Sequence, residues 1–439
     1  MSIFALMSLS SELRDKKVGM LVLVAALGYF VDIYDLVLFG MERVSSLTDI
    51  LGAGMPETVI QSKQFKGLVK DTGIMLFNWQ MFGMLVGGIA WGVIGDKKGR
   101  LSVLFGSIIL YSIANILNGM VVDTTQYAIL RFISGFGLAG ELGAGITLVS
   151  ESMSKENRGW GAMIVASVGL FGAVVAGVVN MSLNDWRMSY YIGGGLGLML
   201  LVLRIGVYES GMFSKIKESN VKRGNFLMLL SSWKTFGKYL NIILIALPVW
   251  YVMGILITLC PEVGADLSPT LKQNPPNAKL AITLAYCGIT IGDVVSGWLS
   301  QYLKSRKRAL LIFLILVVLC TVAYFLFAGQ SLFVFYTIVV IIGFATGYWA
   351  VFMSSASELF GTNIRATVTT TAPNFVRGGA ILLTMSFQML SGNAGFGNIK
   401  AAIIVGIATF VIAFIALRRL EETYGKDLNY VEGINEMEP

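Results

Sequence analysis

Among the ionisable side chains inside long apolar runs of this sequence, six stand where they could do chemistry. Asp32 and Asp35 are three residues apart, so on a helix they share a face with Gly28 and Phe39. Arg131 and Glu141 follow in the fourth apolar run, Asp293 in the eighth and Arg377 in the eleventh. A charge at membrane depth costs several kcal/mol, at least about 2.5, so it needs a partner or a purpose. Carboxylates there can take up a proton in one conformation and release it in another. A guanidinium fork matches the oxygens of a carboxylate or phosphate. The chain has no histidine, so carboxylates are the obvious proton carriers. Its three cysteines, Cys260, Cys287 and Cys320, lie in apolar runs and outline no disulfide framework. No nucleotide loop, metal-ligand spacing or nucleophile–base pattern is present, so an enzyme, a metal site and a bound cofactor are not expected.

The elements that position these charges are membrane helices. Of the 439 residues, 55% are hydrophobic and 13% charged, about half the charge of a soluble domain, which runs near 25%. Mean hydropathy is +0.74. Twelve segments reach the roughly 20 apolar residues that a span requires. They fall near 18–41, 73–95, 101–122, 125–149, 159–183, 188–208, 237–260, 279–301, 308–328, 331–354, 364–390 and 396–418. Lipid leaves no backbone group unpaired, so spans of this length are helices. The fold class expected is therefore an all-α membrane protein of twelve transmembrane helices in two six-helix pseudo-repeat halves. The halves are 1–208 and 237–420, joined by a polar linker 209–236 and followed by a tail 421–439.

Lysine and arginine placement sets the orientation. Of 33 basic residues, 22 fall on the side shared by both termini, 8 on the other side, and Arg131, Arg204 and Arg377 within spans. Both termini are thus expected in the cytoplasm, in a bacterial inner membrane. The formal net charge of +7 is topological and needs no nucleic acid to explain it. The halves also echo each other. Glu151 precedes Arg158, and Glu358 precedes Arg365, by seven residues at equivalent junctions offset by 207. Gly140 and Gly172 meet Gly347 and Gly379 at the same offset. Duplicated bundles of this kind place a site near the bilayer midplane between halves that rock.

Helix rise gives depths. Counting from Met41, Asp35 lies roughly 9 Å and Asp32 roughly 14 Å down, and Arg131 lies roughly 9 Å below Thr125. A pair or triad across spans 1 and 4 follows, read either as a proton-coupling set or as a structural ion pair. Glu141, about 24 Å along span 4, is a second proton site, a contact for a substrate ammonium, or a locally paired group on a stripe of Ser134, Gly137 and Gly145. Asp293 and Arg377 are each about 20 Å from their span starts. Arg377, one turn past Pro373, is a substrate-anion contact if it faces the cavity and a strut or gate if it pairs with Asp293. Gln80, Tyr251, Asn374 and Tyr34 complete the expected cavity lining.

Several motifs resemble the major facilitator superfamily. Gly92-Val-Ile-Gly-Asp96-Lys-Lys-Gly99-Arg100 is similar to its signature loop, and Arg131-Phe-Ile-Ser-Gly135-Phe-Gly137 to its second motif. Asp32-Ile-Tyr34-Asp35 and Ala139-Gly140-Glu141-Leu142-Gly143 resemble motifs of its metabolite:proton, aromatic-acid:proton and phosphate:proton symporters. Trp186-Arg187, Glu209-Ser210 and Ser357-Glu358 through Arg365 resemble the wider sugar-porter-like branch. The second copy of the signature loop, Gly297 to Gln301, carries Gln where the first has Asp96, and Gly211 replaces the branch's Pro. The resemblance implies a twelve-helix secondary transporter working by alternating access. It also implies that Asp32 and Asp35 serve in proton coupling. Asp96, Arg100, Glu151, Arg158, Glu358 and Arg365 are then a conformational latch at the cytoplasmic ends of the spans.

The expected function is proton symport of a small polar metabolite, anionic or zwitterionic, by a monomer whose partners are that substrate, protons and the bilayer. An exporter using the same acids in antiport of a cationic, drug-like or siderophore-like solute is the alternative. Behind it come a facilitator and a non-transporting sensor.

Overall fold

A computed structural model describes residues 16–98, 100–153, 158–209, 226, 229, 232–361 and 364–426. The described chain is helical, and ten of its helices are long and apolar enough to cross a membrane. Two more segments complete twelve spans. Span 3 is short, with an apolar stretch over Ser102–Asn118, and span 11 is diluted by Thr, Asn and Arg.

Fourteen helices make up the spans. They are α1 (Lys16–Leu51), α2 (Lys63–Lys98), α3 (Arg100–Asn118), α4 (Thr124–Leu138), α5 (Glu141–Ser152), α6 (Arg158–Met181) and α7 (Trp186–Glu209) in the first half. The second half has α8 (Trp233–Tyr251), α9 (Ala278–Tyr302), α10 (Arg306–Phe327), α11 (Leu332–Thr346), α12 (Trp349–Glu358), α13 (Arg365–Gln388) and α14 (Gly397–Arg419). Span 4 is α4 plus α5 and span 10 is α11 plus α12. Each breaks where the sequence repeat places a glycine, Gly140 and Gly347. A π-helical turn, Val252–Ile257, extends α8 beyond Pro248.

The expected long loop over 42–72 is mostly helix. The first span runs on to Leu51 and the second starts at Lys63. Asp32 therefore sits near the middle of a 36-residue helix that runs on past the expected end at Met41. Polar residues after Met41 did not stop the helix because no proline or glycine cap intervenes before Gly52.

Glycines set the packing inside each half. A Cβ on Gly83 or Gly87 of α2 would strike the Phe132 or Phe136 carbonyl of α4, and one on Gly135 would strike Gln80 O. The second half repeats this. Gly288 and Gly292 of α9 lie on the Val340 and Phe344 carbonyls of α11, and Gly343 lies on Ala285 O. Only backbone-close packing of small residues brings helices this near. Between halves, α2 packs on α13 and α6 on α9.

Both described chain ends, Lys16 and Lys426, lie at one end of the bundle, here called the basic end. The linker expected over 209–236 falls largely outside the described residues.

Candidate functional site

A narrow cavity lies between the halves. It is walled by Tyr29 of α1, Trp250 and Met253 of span 7, Tyr286 of α9, Trp349 of α12 and Arg377 of α13. Arg377 is the one cation among the lining residues. It is 2% exposed, donates from one terminal nitrogen to Asn374 Oδ1 at 3.2 Å, and leaves Nε without a partner. The indole N–H groups of Trp250 and Trp349 are also buried and unpartnered. The cavity is thus aromatic and apolar, with donors waiting for an acceptor. That combination suits a small organic solute bearing oxygen anions.

Asp32 and Asp35 are fully buried, and none of their four carboxylate oxygens accepts a hydrogen bond. The expected triad with Arg131 is not formed. The two acids project toward different neighbours. Arg131 is the main cation acting on Asp35, while Arg377, from the other half, is the main cation acting on Asp32. Arg131 itself donates to Asn115 Oδ1 at 3.0 Å, Ser134 Oγ at 3.3 Å and Gln80 Oε1 at 3.4 Å, and stacks on Phe39 and Tyr190. Gln80 therefore belongs to the polar shell of Arg131 and not to the cavity lining. Tyr34 likewise is buried against Gly193 of α7, outside the lining, with its hydroxyl unpartnered.

Glu141 is neither free nor in the cavity. It forms an ion pair with Arg204 of α7, which also bonds Leu104 O at 3.1 Å, and it accepts from Ser107 at 3.4 Å. The local-pairing reading is the one the geometry supports. Arg204, which sequence reasoning left without a role, balances this charge within the first half. Gly28 is the signal that could have found it, because any side chain there would collide with both partners.

Asp293 does not pair with Arg377. Its Oδ1 accepts from Ala350 N at 2.6 Å and so caps the second helix of span 10. Tyr251 faces span 12, where its hydroxyl donates to Ala402 O at 2.9 Å and its ring meets Phe410. Trp250, one residue earlier, takes the place expected for it in the cavity. Asn374 touches Arg377 but spends its amide nitrogen on Ala139 O of the first half and Thr370 O, both at 2.8 Å.

Of the expected latch, the side chains of Asp96, Arg100, Glu151 and Arg158 lie outside the described residues. Glu358 pairs with Arg306 at 2.9 Å and accepts from Thr423 at 2.8 Å, all within the second half. Arg365 donates to the Ser357 and Phe360 carbonyls that end span 10. The Glu358–Arg306 pair does not bridge the halves. The described ion pairs that do are at the other end: Arg43–Glu262 and Glu42–Lys279, each at 2.8 Å. Ser189 also donates to Glu42 at 2.8 Å. The sequence placed Arg43 in a loop and Lys279 at the first residue of span 8, so their pairing was invisible.

A family model of the Major Facilitator Superfamily matches residues 25–384. The chain belongs to this superfamily. Among curated relatives, a proposed 4-methylmuconolactone transporter of Cupriavidus pinatubonensis is 26% identical, over 77% of this chain and 79% of the relative. A proposed niacin/nicotinamide transporter of Bacillus subtilis, NiaP, is 26% identical over 85% and 94%. Inorganic phosphate transporter 1-11 of Oryza sativa is 22% identical over 94% and 87%. The proton:xylose symporter XylE, solved with 6-bromo-6-deoxy-D-glucose, superimposes with a TM-score of 0.70 at 16% identity, covering 94% of this chain and 98% of its own. The superfamily fold is thus shared, and the chain is a transporter of small metabolites rather than an enzyme.

Proposed function

We propose that the protein is a proton symporter for a small organic anion or zwitterion. The observation that carries this is the placement of Asp32. It is a fully buried carboxylate without a hydrogen bond, and Arg377 on the opposite half is its main cation. A bare charge in that position is costly, and a proton removes the cost. When Asp32 is protonated, Arg377 is left for a substrate anion. When the anion leaves, Asp32 again has a cation to answer its charge. Asp35 and Arg131 form a second, more remote set inside the first half. Glu141 is left out of this cycle because Arg204 already answers it. The halves exchange access by rocking about the cavity. The aromatic walls favour a solute with an apolar body, and relatives named for niacin/nicotinamide and 4-methylmuconolactone fit that size. The expected setting is a bacterial inner membrane, with both termini in the cytoplasm and each chain working as a monomer.

Uptake of labelled nicotinate, benzoate, proline and phosphate into proteoliposomes tests this, with and without an inward proton gradient. Gradient-driven accumulation is expected for at least one carboxylate. Asp32→Asn should abolish accumulation while keeping counterflow exchange, and Arg377→Ala should abolish both. Uptake that only equilibrates in the wild type, or efflux driven by the same gradient, would overturn the reading.

A further inference from the structure

Span 4 breaks at Ala139-Gly140, and the break frees two carbonyls. In an unbroken helix Phe136 O would accept from Gly140 N. Here Gly140 N bonds Gly137 O instead. Phe136 O is taken by Trp91 Nε1 at 2.7 Å, from the same half. Ala139 O is taken by Asn374 Nδ2 at 2.8 Å, from the other half. Asn374 reaches it because Gly88 of α2 leaves space, and a Cβ there would lie 2.8 Å from Asn374 Cβ and 2.9 Å from Nδ2. Neighbouring contacts have the same character, with Thr371 on Gly92 and Thr370 on Gly143. All of these hold the first turns of α13 against the basic-end half of spans 2 and 4.

The amide of Asn374 works in both directions. Oδ1 accepts from Arg377 while Nδ2 donates to Ala139 O. Nδ2 also donates to Thr370 O, so the two carbonyls set which way the amide faces, since a flip would aim oxygen at oxygen, and Arg377 reinforces that orientation from the other side. We propose that Asn374 is a positioning residue that holds the basic end of the two halves together while the cavity arginine is free. An anion that draws Arg377 away leaves Oδ1 unpartnered and the amide held only by its two carbonyls, the cross-half bond to Ala139 weakens, and the basic end opens more readily. This rests on Arg377 being the anion contact.

The test needs no substrate. Spin labels on Ser102→Cys and Trp233→Cys, exposed positions on the two halves at the basic end, report their separation in a background lacking Cys260, Cys287 and Cys320. Asn374→Asp keeps an acceptor for Arg377 but cannot donate to Ala139. It should raise the long-distance population at least threefold. Gly88→Ala should do the same from the opposite side of the contact, and it carries the test if Asn374→Asp does not fold. Arg377→Ala should shift the distances in the same direction, with Asn374→Asp adding little on top of it. A purely structural amide would instead give additive shifts, and that result, or unchanged distances in Asn374→Asp and Gly88→Ala, overturns the proposal. Loss of gradient-driven uptake in the wild type would remove the symport reading, while the distances would still decide the role of Asn374.

Discussion

The two broken spans of this transporter share a backbone and differ in what mends them. In span 10 the break is closed from within its own half, by Asp293 capping Ala350 N at 2.6 Å. In span 4 it is closed by Trp91 from its own half and by Asn374 from the other. The residue of α2 equivalent to Asp293, by the register of Gly87 and Gly292, is Gly88. One copy of the duplicated helix therefore carries the cap, and the other carries a gap that admits a side chain from across the interface. Duplication kept the glycine packing, which any substitution would ruin. The polar groups were free to diverge, because several different partners can satisfy one orphan carbonyl or N–H.

If the packing is truly common to both halves, it should fail equally in both. Gly135→Val and Gly343→Val each drive a side chain into a facing carbonyl, of Gln80 and Ala285. Both should abolish monodisperse protein on size-exclusion chromatography, and survival of one but not the other would break the equivalence. The caps should then separate the halves. Asp293→Leu strands Ala350 N and should cost about 1–3 kcal/mol, seen as a lower thermal midpoint. Asp293→Asn keeps an acceptor and should cost little, because the cap needs an oxygen and not a charge.

The ion pairs at the end opposite the termini extend the contrast, since they join span 1 to the second half. Exchanging the charges of Arg43 and Glu262 singly should weaken closure of that end. The double exchange should restore it, read as protection of an engineered cysteine nearby from a membrane-impermeant thiol reagent. The smallest effect is expected at the tail. Partial burial pushes the Glu422 carboxyl up, but the Ser305 hydroxyl and the N–H groups of Tyr424, Arg306 and Lys307 hold it net below its ordinary 4.5. Its contribution is therefore complete above that value and fades as pH falls through the lowered one. Glu422→Gln should lower the thermal midpoint slightly at pH 7 and not at all near pH 3.

Much of the fold was legible because lipid allows so few solutions. Apolar length gave the spans, and the Gly140/Gly347 offset marked the very residues where spans 4 and 10 break. The acids of span 1 and the arginine of span 11 were legible as costly charges. Their partners were not. Asp32 and Asp35 are three residues apart, yet their main cations stand on different halves. Arg204 was a charge within a span and without a role until α7 brought it to Glu141. The sequence reading chose Tyr251 for the cavity, and the rotation of one helix sent it to span 12 and its neighbour Trp250 to the cavity.

The sequence by itself determined the solvent, the number of spans, the duplicated plan and the short roster of residues able to do chemistry. Those follow from composition, periodicity and the cost of charge in hydrocarbon, all of which are local or additive along the chain. The tertiary structure alone decided which charge answers which, which face of each helix meets the cavity, and that Asn374 spans the halves. A partner's identity depends on helix rotation and on contacts more than two hundred residues apart, such as Asn374 with Ala139. No periodicity in the sequence encodes these.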